Sequence, residues 1–239
     1  MKHSSLSIFF LLFILNSCIH LNETVNGEGY IVKKNRKIDY FDAIELNIAA
    51  DIYYSQSDNY SIVISTNENL MEHIVTKTVE STLIIETKKG VNVYSDEGIN
   101  ISISSPEIVS FNINGSGSIN TDNVINSPKL ICQINGSGNI NLNQLFTIQL
   151  NAEVNGSGDI IINEGESAKG VYLINGSGDI KTANSKTENA IIEINGSGNV
   201  EAYVSNKFEG KISGSGDIYY KGTANPLIEI DGSGQLRKL

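Results

Sequence analysis

Apolar and polar residues alternate over short stretches along most of this chain, and in the second half the alternation returns at a fixed interval. Gly-Ser-Gly begins at residues 115, 136, 156, 176, 196, 214 and 232, so the intervals run from 21 through 20 to 18. Two places before each first glycine stand Ile113, Ile134, Val154, Ile174, Ile194, Ile212 and Ile230. Two places after each second glycine stand Ile119, Ile140, Ile160, Ile180, Val200, Ile218 and Leu236. A third apolar column precedes the first by two residues: Phe111, Cys132, Ala152, Tyr172 and Ile192, interrupted by Gly210 and resumed at Ile228. Period-two alternation rich in β-branched residues marks strands with one buried face. A repeat this short cannot bury its own apolar face and must stack on its neighbours.

At about 3.3 Å per residue, some 20 residues close a ring with three sides of about 20 Å. The pattern predicts an all-β fold, a right-handed parallel β-helix or solenoid with about 20 residues per rung over 111–239. Antiparallel hairpins joined at the glycines are the competing geometry. They would alternate two turn types, whereas here one turn recurs once per full period.

Residues 28–110 lack the glycine phrase but still read as strands, as in Ala43–Ile48, Asp51–Tyr54, Ser61–Ser65 and Thr82–Thr87. They are expected to form a less regular β region that covers one end of the coil. Within them, Asn67 to Ile74 predicts a short helix with Asn67 as its cap and Leu70, Met71 and Ile74 as its apolar face.

The chain opens with one lysine, an apolar run from Leu6 to Leu15, and then Leu15-Asn16-Ser17-Cys18. The run is shorter than the roughly 20 residues that span a bilayer, and it has the layout of a secretory signal. Its close resembles a bacterial lipoprotein signal, with 1–17 removed, Cys18 lipidated and 18–27 a tether. Lipidation would leave Cys132, in an apolar alternation, as a small buried hydrophobe. The expected location is the outer membrane, on its periplasmic face or at the cell surface.

Charge narrows the partners. The net charge is −10, with two arginines far apart and no basic run, which argues against nucleic acid. The expected partners are the membrane, through the lipid anchor, and an envelope protein or a glycan.

The phrases "INGSGNI" and "INGSGDI", together with "FDAIELNIAADIYYSQSDNYSIVISTNENLMEHIVTKTVESTLIIETKKG", carry a family resemblance. Across about residues 38–239 the chain resembles the GIN-domain family, labelled as auto-transporter adhesin head domains. The resemblance implies a β-helix-like domain, exported or lipid-anchored, commonly in Bacteroidetes-type bacteria. It implies no catalytic residues and no cofactor.

Asn114, Asn135, Asn155, Asn175 and Asn195 precede the glycines, and Asn tolerates unusual backbone angles and bonds its own backbone in turns. The structural turns are therefore assigned to these residues with Gly115, Gly117, Gly136, Gly138, Gly156, Gly158, Gly176, Gly178, Gly196 and Gly198. Stacked amides can also bond one another as a ladder, or serve as a polar stripe for a ligand. Asp159, Asp179 and Asp217 follow the glycines and leave calcium binding open, although neutral Asn alternates with them and Ca²⁺ takes 6–8 oxygens. No metal site is expected. His20 and His73 have no second ligand at metal spacing, and His73 reads as a surface residue. The lysines 129, 169, 181, 186, 207, 211 and 221 read as sharing no register, which disfavours a polysaccharide lyase groove. Tyr172 and Tyr220 are predicted inward and Tyr219 outward. The functional reading is a non-catalytic, lipid-anchored envelope protein that presents a rigid solenoid for adhesion or protein interaction. The alternatives are a carbohydrate-binding module acting through loops outside the repeats and, behind it, a lyase-like enzyme.

Overall fold

The computed structural model describes residues 23–239. The expected signal segment 1–17, with Cys18 and His20, lies outside the described residues.

Eighteen strands follow one another. The first nine are β1 (Glu23–Asn26), β2 (Ile31–Asn35), β3 (Ala43–Leu46), β4 (Asp51–Gln56), β5 (Ser61–Asn67), β6 (Ile74–Val79), β7 (Thr82–Thr87), β8 (Val91–Tyr94) and β9 (Asn100–Ser105). Then come β10 (Ser110–Gly115), β11 (Ser118–Gly136), β12 (Asn139–Gly156), β13 (Asp159–Gly176), β14 (Ile180–Gly196), β15 (Val200–Gly214), β16 (Ile218–Lys221), β17 (Asn225–Gly232) and β18 (Leu236–Lys238). Every paired strand from β10 to β18 is parallel, with register shifts only between β11 and β12 and between β14 and β15. The chain forms a β-solenoid of about six turns with some 20 residues per rung. The parallel ladders exclude the hairpin array.

Register explains why the apolar columns hold the fold. Leu46, Ile113, Ile134, Val154, Ile174, Ile194, Ile212 and Ile230 stand one above another. All but the last are fully buried, and each contributes about 1.5–3 kcal/mol of apolar burial. Where the repeat shortens from 20 to 18 residues, β14 and β15 take up the difference in register shifts at Thr182/Lys186 and Thr187/Asn189.

The coil begins before the glycine phrase does. β3 pairs in parallel with β10 and with β7, while β4 pairs in parallel with β11 and β9. In space, residues 43–56 form a rung between 82–105 and 110–121. Leu46-Asn47-Ile48-Ala49-Ala50-Asp51-Ile52 occupies the same register as the later Ile-Asn-Gly-Ser-Gly-Asp-Ile. The region is thus two rungs interleaved with antiparallel additions, β2 on β5, β5 on β9 and β6 on β7. Those additions cover one end of the coil.

Two local expectations fail. Residues 23–26, assigned to a tether, form β1 against β8, so the ordered domain starts earlier. The helix over 67–74 is one 3₁₀ turn, Glu68–Leu70, and Asn67 makes no side-chain cap bond. Asn67 is the end of β5 and accepts from the Ser95 hydroxyl at 2.6 Å, while residues from Ile74 onward enter β6. Arg36 takes over the carbonyls left by the short turn, donating from Nη2 to Met71 O at 2.7 Å and Ile74 O at 3.1 Å.

Candidate functional site: the corners and outer faces of the solenoid

At each corner the first glycine has φ between +134° and +150°, a region that L side chains rarely adopt. From Gly136 onward a Cβ on the first glycine would also meet the glycine carbonyl oxygen one rung back, and at the second glycine that clash acts without a positive φ. A Cβ on Gly158, Gly178 or Gly198 would clash with the carbonyl oxygen of Gly138, Gly158 or Gly178 one rung back. Rungs about 4.8 Å apart leave no room for it.

The asparagines before these glycines form one continuous amide ladder. Asn114 donates to Asn47, Asn135 to Asn114, Asn155 to Asn135, Asn175 to Asn155 and Asn195 to Asn175, at 2.8–3.1 Å. The ladder starts at Asn47, outside the glycine repeats.

The residues after the glycines form a second ladder of a different kind. The side-chain oxygens of Asn139, Asp159, Asp179, Asn199 and Asp217 accept the backbone N–H of Asp159, Asp179, Asn199, Asp217 and Gln235 in turn, at 2.8–3.1 Å. Their task is to satisfy the corner's amides. Lys181 Nζ lies 3.0 Å from Asp179 and 3.7 Å from Asp159, and Arg237 lies 3.4 Å from Asp217. Burial raises the Asp179 carboxyl, but the Asn199 N–H and the Lys181 ammonium outweigh it and hold the group below its usual range. The space between Asp159 and Asp179 already has its cation. Among the described residues, no three His, Cys, Asp or Glu cluster closely enough to hold a metal.

Other candidates disperse. Cys132 is fully buried, and desolvation pushes its thiol up to about 12. His73 is half-buried rather than on the surface, and its Nδ1 is buried without a partner. Tyr172 is buried, with its hydroxyl 2.9 Å from Thr187 Oγ1. Tyr219 faces outward and donates to Asp217, and Tyr220 packs against Phe208.

Three lysines do share a register, against expectation. Lys129, Gln149, Lys169, Asn189, Lys207 and Asn225 occupy one column. Each of the three lysines stands seven residues before a Gly-Ser-Gly, so the shared register was legible in the repeat. Lys207 is paired to Glu209 at 2.7 Å, so the row is partly neutralised.

The outer residue that sequence reasoning missed is Phe146. It stands 39% exposed on β12, with a shallow groove of about 420 Å³ on one side and one of about 340 Å³ on the other. Its signal was the parity of β12: Leu145 sits in a buried column, so its neighbour must face outward.

Residues 40–224 match the family described as "Putative auto-transporter adhesin, head GIN domain". The chain belongs to this GIN-domain family. A solved structure of a "putative adhesin" from Bacteroides fragilis superposes with TM-score 0.86 at 22% identity, covering 90% of this chain and 100% of that one. A "putative adhesin" from Parabacteroides merdae gives TM-score 0.76 at 22% identity, over 91% and 99%. A "putative lipid binding protein" from Parabacteroides distasonis gives 0.73 at 25% identity, over 91% and 100%. At these identities the likeness establishes the fold. No curated protein matches this chain.

Proposed function

We propose that this GIN-domain protein is a non-catalytic adhesion module of the cell envelope, held to the outer membrane by a lipid on Cys18. The observation that carries the reading is the use of the regularly spaced residues. The glycines, asparagines and aspartates of the repeat bond one rung to the next, which leaves the varied outward side chains to meet a partner. A parallel coil of in-register strands is rigid and suits presentation of a surface away from the membrane. The adhesin description of the family supports this role, and the buried, high-pKa thiol together with the ion-paired aspartates supports a non-catalytic one.

Cys18→Ser tests the anchor. The protein is expected to move from the membrane fraction to the soluble envelope fraction, and cells are expected to lose adherence to the surface that they bind. Unchanged fractionation would sink the anchor, and unchanged adherence in a strain lacking the protein would sink the adhesion reading. A carbohydrate-binding role is the second reading, favoured by Phe146 standing exposed between two polar grooves.

A further inference from the structure

We infer that the outward face of β12 and β13 around Phe146 is a subsite for a neutral saccharide, with the Phe146 ring as its floor. The inference rests on the adhesion reading and names the chemistry of what is bound.

The ring is a flat apolar surface on the outward face of β12, with Ile148 exposed two residues further along the same face. Its neighbours in register are Asn126 on one rung and Glu166 on the other. Glu166 lines both grooves. On one side Gln144, Asn163 and Asn184 add amides, and on the other Lys186 and Glu188 add charge. Such a site offers one flat apolar patch within a ring of donors and acceptors, the arrangement of small-molecule clefts in which a few polar groups fix orientation. A pyranose has the matching amphipathy: an apolar face of C–H groups and a rim of hydroxyls. A lipid chain would need a continuous apolar track, and the charged rim interrupts it. A polyanion would meet Glu164, Glu166 and Glu188 on a chain of net charge −10.

The groove is shaped by a departure from the repeat. Gly165 stands in register with Leu145, where a side chain is otherwise buried. Its φ is +141°, and a Cβ there would clash with Leu145 O. The backbone therefore lies close against β12, and Gly165 lines the groove beside the ring. Glu166 is only loosely held by Lys186, at 3.9 Å with both side chains 65% exposed, so its oxygens are free to accept sugar hydroxyls.

The test is calorimetric titration of the full chain with cello-, chito-, manno- and laminari-hexaose, and with hexagalacturonate. At least one neutral hexasaccharide is expected to bind with a Kd below about 1 mM. Phe146→Ala is expected to weaken that binding by about tenfold or more, as loss of a central aromatic contact does. Phe146→Tyr should retain it, and Glu166→Gln should weaken it. Ile191→Ala, elsewhere on the coil, should leave it unchanged. Binding of hexagalacturonate alone would overturn the inference and point to the lysine row. Absence of neutral-sugar binding, or binding indifferent to Phe146→Ala, would overturn it as well. Cell adherence is followed in parallel. Adherence that depends on the protein but survives Phe146→Ala, with no saccharide bound, would defeat this inference and leave the adhesion reading standing.

Discussion

Asn175 Nδ2 donates to Asn155 Oδ1 across one rung at 2.8 Å, while Asn155 donates in turn to Asn135 at 3.0 Å. Each amide is donor to the rung before and acceptor from the rung after, which a carboxylate cannot be. Asn155→Ala is expected to cost about 1–2 kcal/mol, because three modest, partly exposed bonds are lost, to Asn135, to Glu153 and from Asn175. Asn155→Asp should cost more, since it faces the Asn135 oxygen without a proton and adds charge beside Glu153. Thermal midpoints of the two variants check the order. Equal midpoints would show that the ladder is decorative.

Most first glycines combine positive φ with a carbonyl at the Cβ position, but Gly115 has the φ without the clash, so substitution there separates the two reasons. Gly115 has φ +134° but open space around its Cβ position, so Gly115→Ala should cost only the backbone strain of about 1–3 kcal/mol. Gly178 has ordinary φ but no space, because Gly158 O occupies the Cβ position. Gly178→Ala must separate rungs and is expected to be the more damaging change. Denaturant unfolding of both proteins measures this. A milder Gly178→Ala would contradict the packing argument.

Much of the solenoid was legible because its glycine corner keeps one length and one apolar frame in all seven repeats. One face of the strand needs an apolar residue every second position, and the corner needs Gly at two fixed places, so each rung repeats the same phrase. The rung at residues 43–56 escaped because Ile48 and Ala50 replace the glycines. The interleaving of 82–105 with 43–56 was hidden for a deeper reason: register between non-consecutive strands leaves no mark on local periodicity. Asn67 to Ile74 has helical spacing, yet pairing of Ile74–Val79 with Thr82–Thr87 overrode it. Of the outer face, parity alone was legible. Phe146 is recognisable as exposed, but the groove beside it depends on Gly165 lying against Leu145.

Ile174 is fully buried, between Val154 and Ile194 in the central column. Ile174→Asp places a charge there with no partner, which costs several kcal/mol whether the group stays ionised or takes up a proton. The variant is expected to lose cooperative unfolding or to melt far below the parent protein. A retained melting temperature would be incompatible with the stacked core.

Cys132 sits in the same interior, fully buried and with its thiol pushed up to about 12 by desolvation. In a Cys18→Ser background it is the sole thiol. It should therefore resist a thiol reagent at neutral pH, both because little thiolate forms and because the reagent cannot reach it. Labelling should appear only with unfolding. Prompt labelling of the native protein would mean that the coil opens locally around β11.

The Asp179–Lys181 pair sets a pH dependence whose sign follows from its shifts. Asp179 has a carboxyl held below its ordinary value in the folded chain. Its contribution to stability is therefore present above the unfolded value of about 3.9. It is lost as pH falls through the lower folded value. Lys181 is raised, chiefly by its bond to Asp179; its contribution is present below about 10.4 and is lost as pH rises through the higher folded value. Between these limits the pair is intact, and Asp179 also accepts the Asn199 N–H at 2.9 Å. Asp179→Asn keeps an acceptor for that N–H but removes the charge facing Lys181. The stability gap between parent and Asp179→Asn should hence be steady near neutrality and narrow as pH drops below about 4. Denaturant midpoints at pH values from about 7 to about 3 measure it. A gap that stays constant over that range would mean that the carboxylate charge is not what binds these rungs.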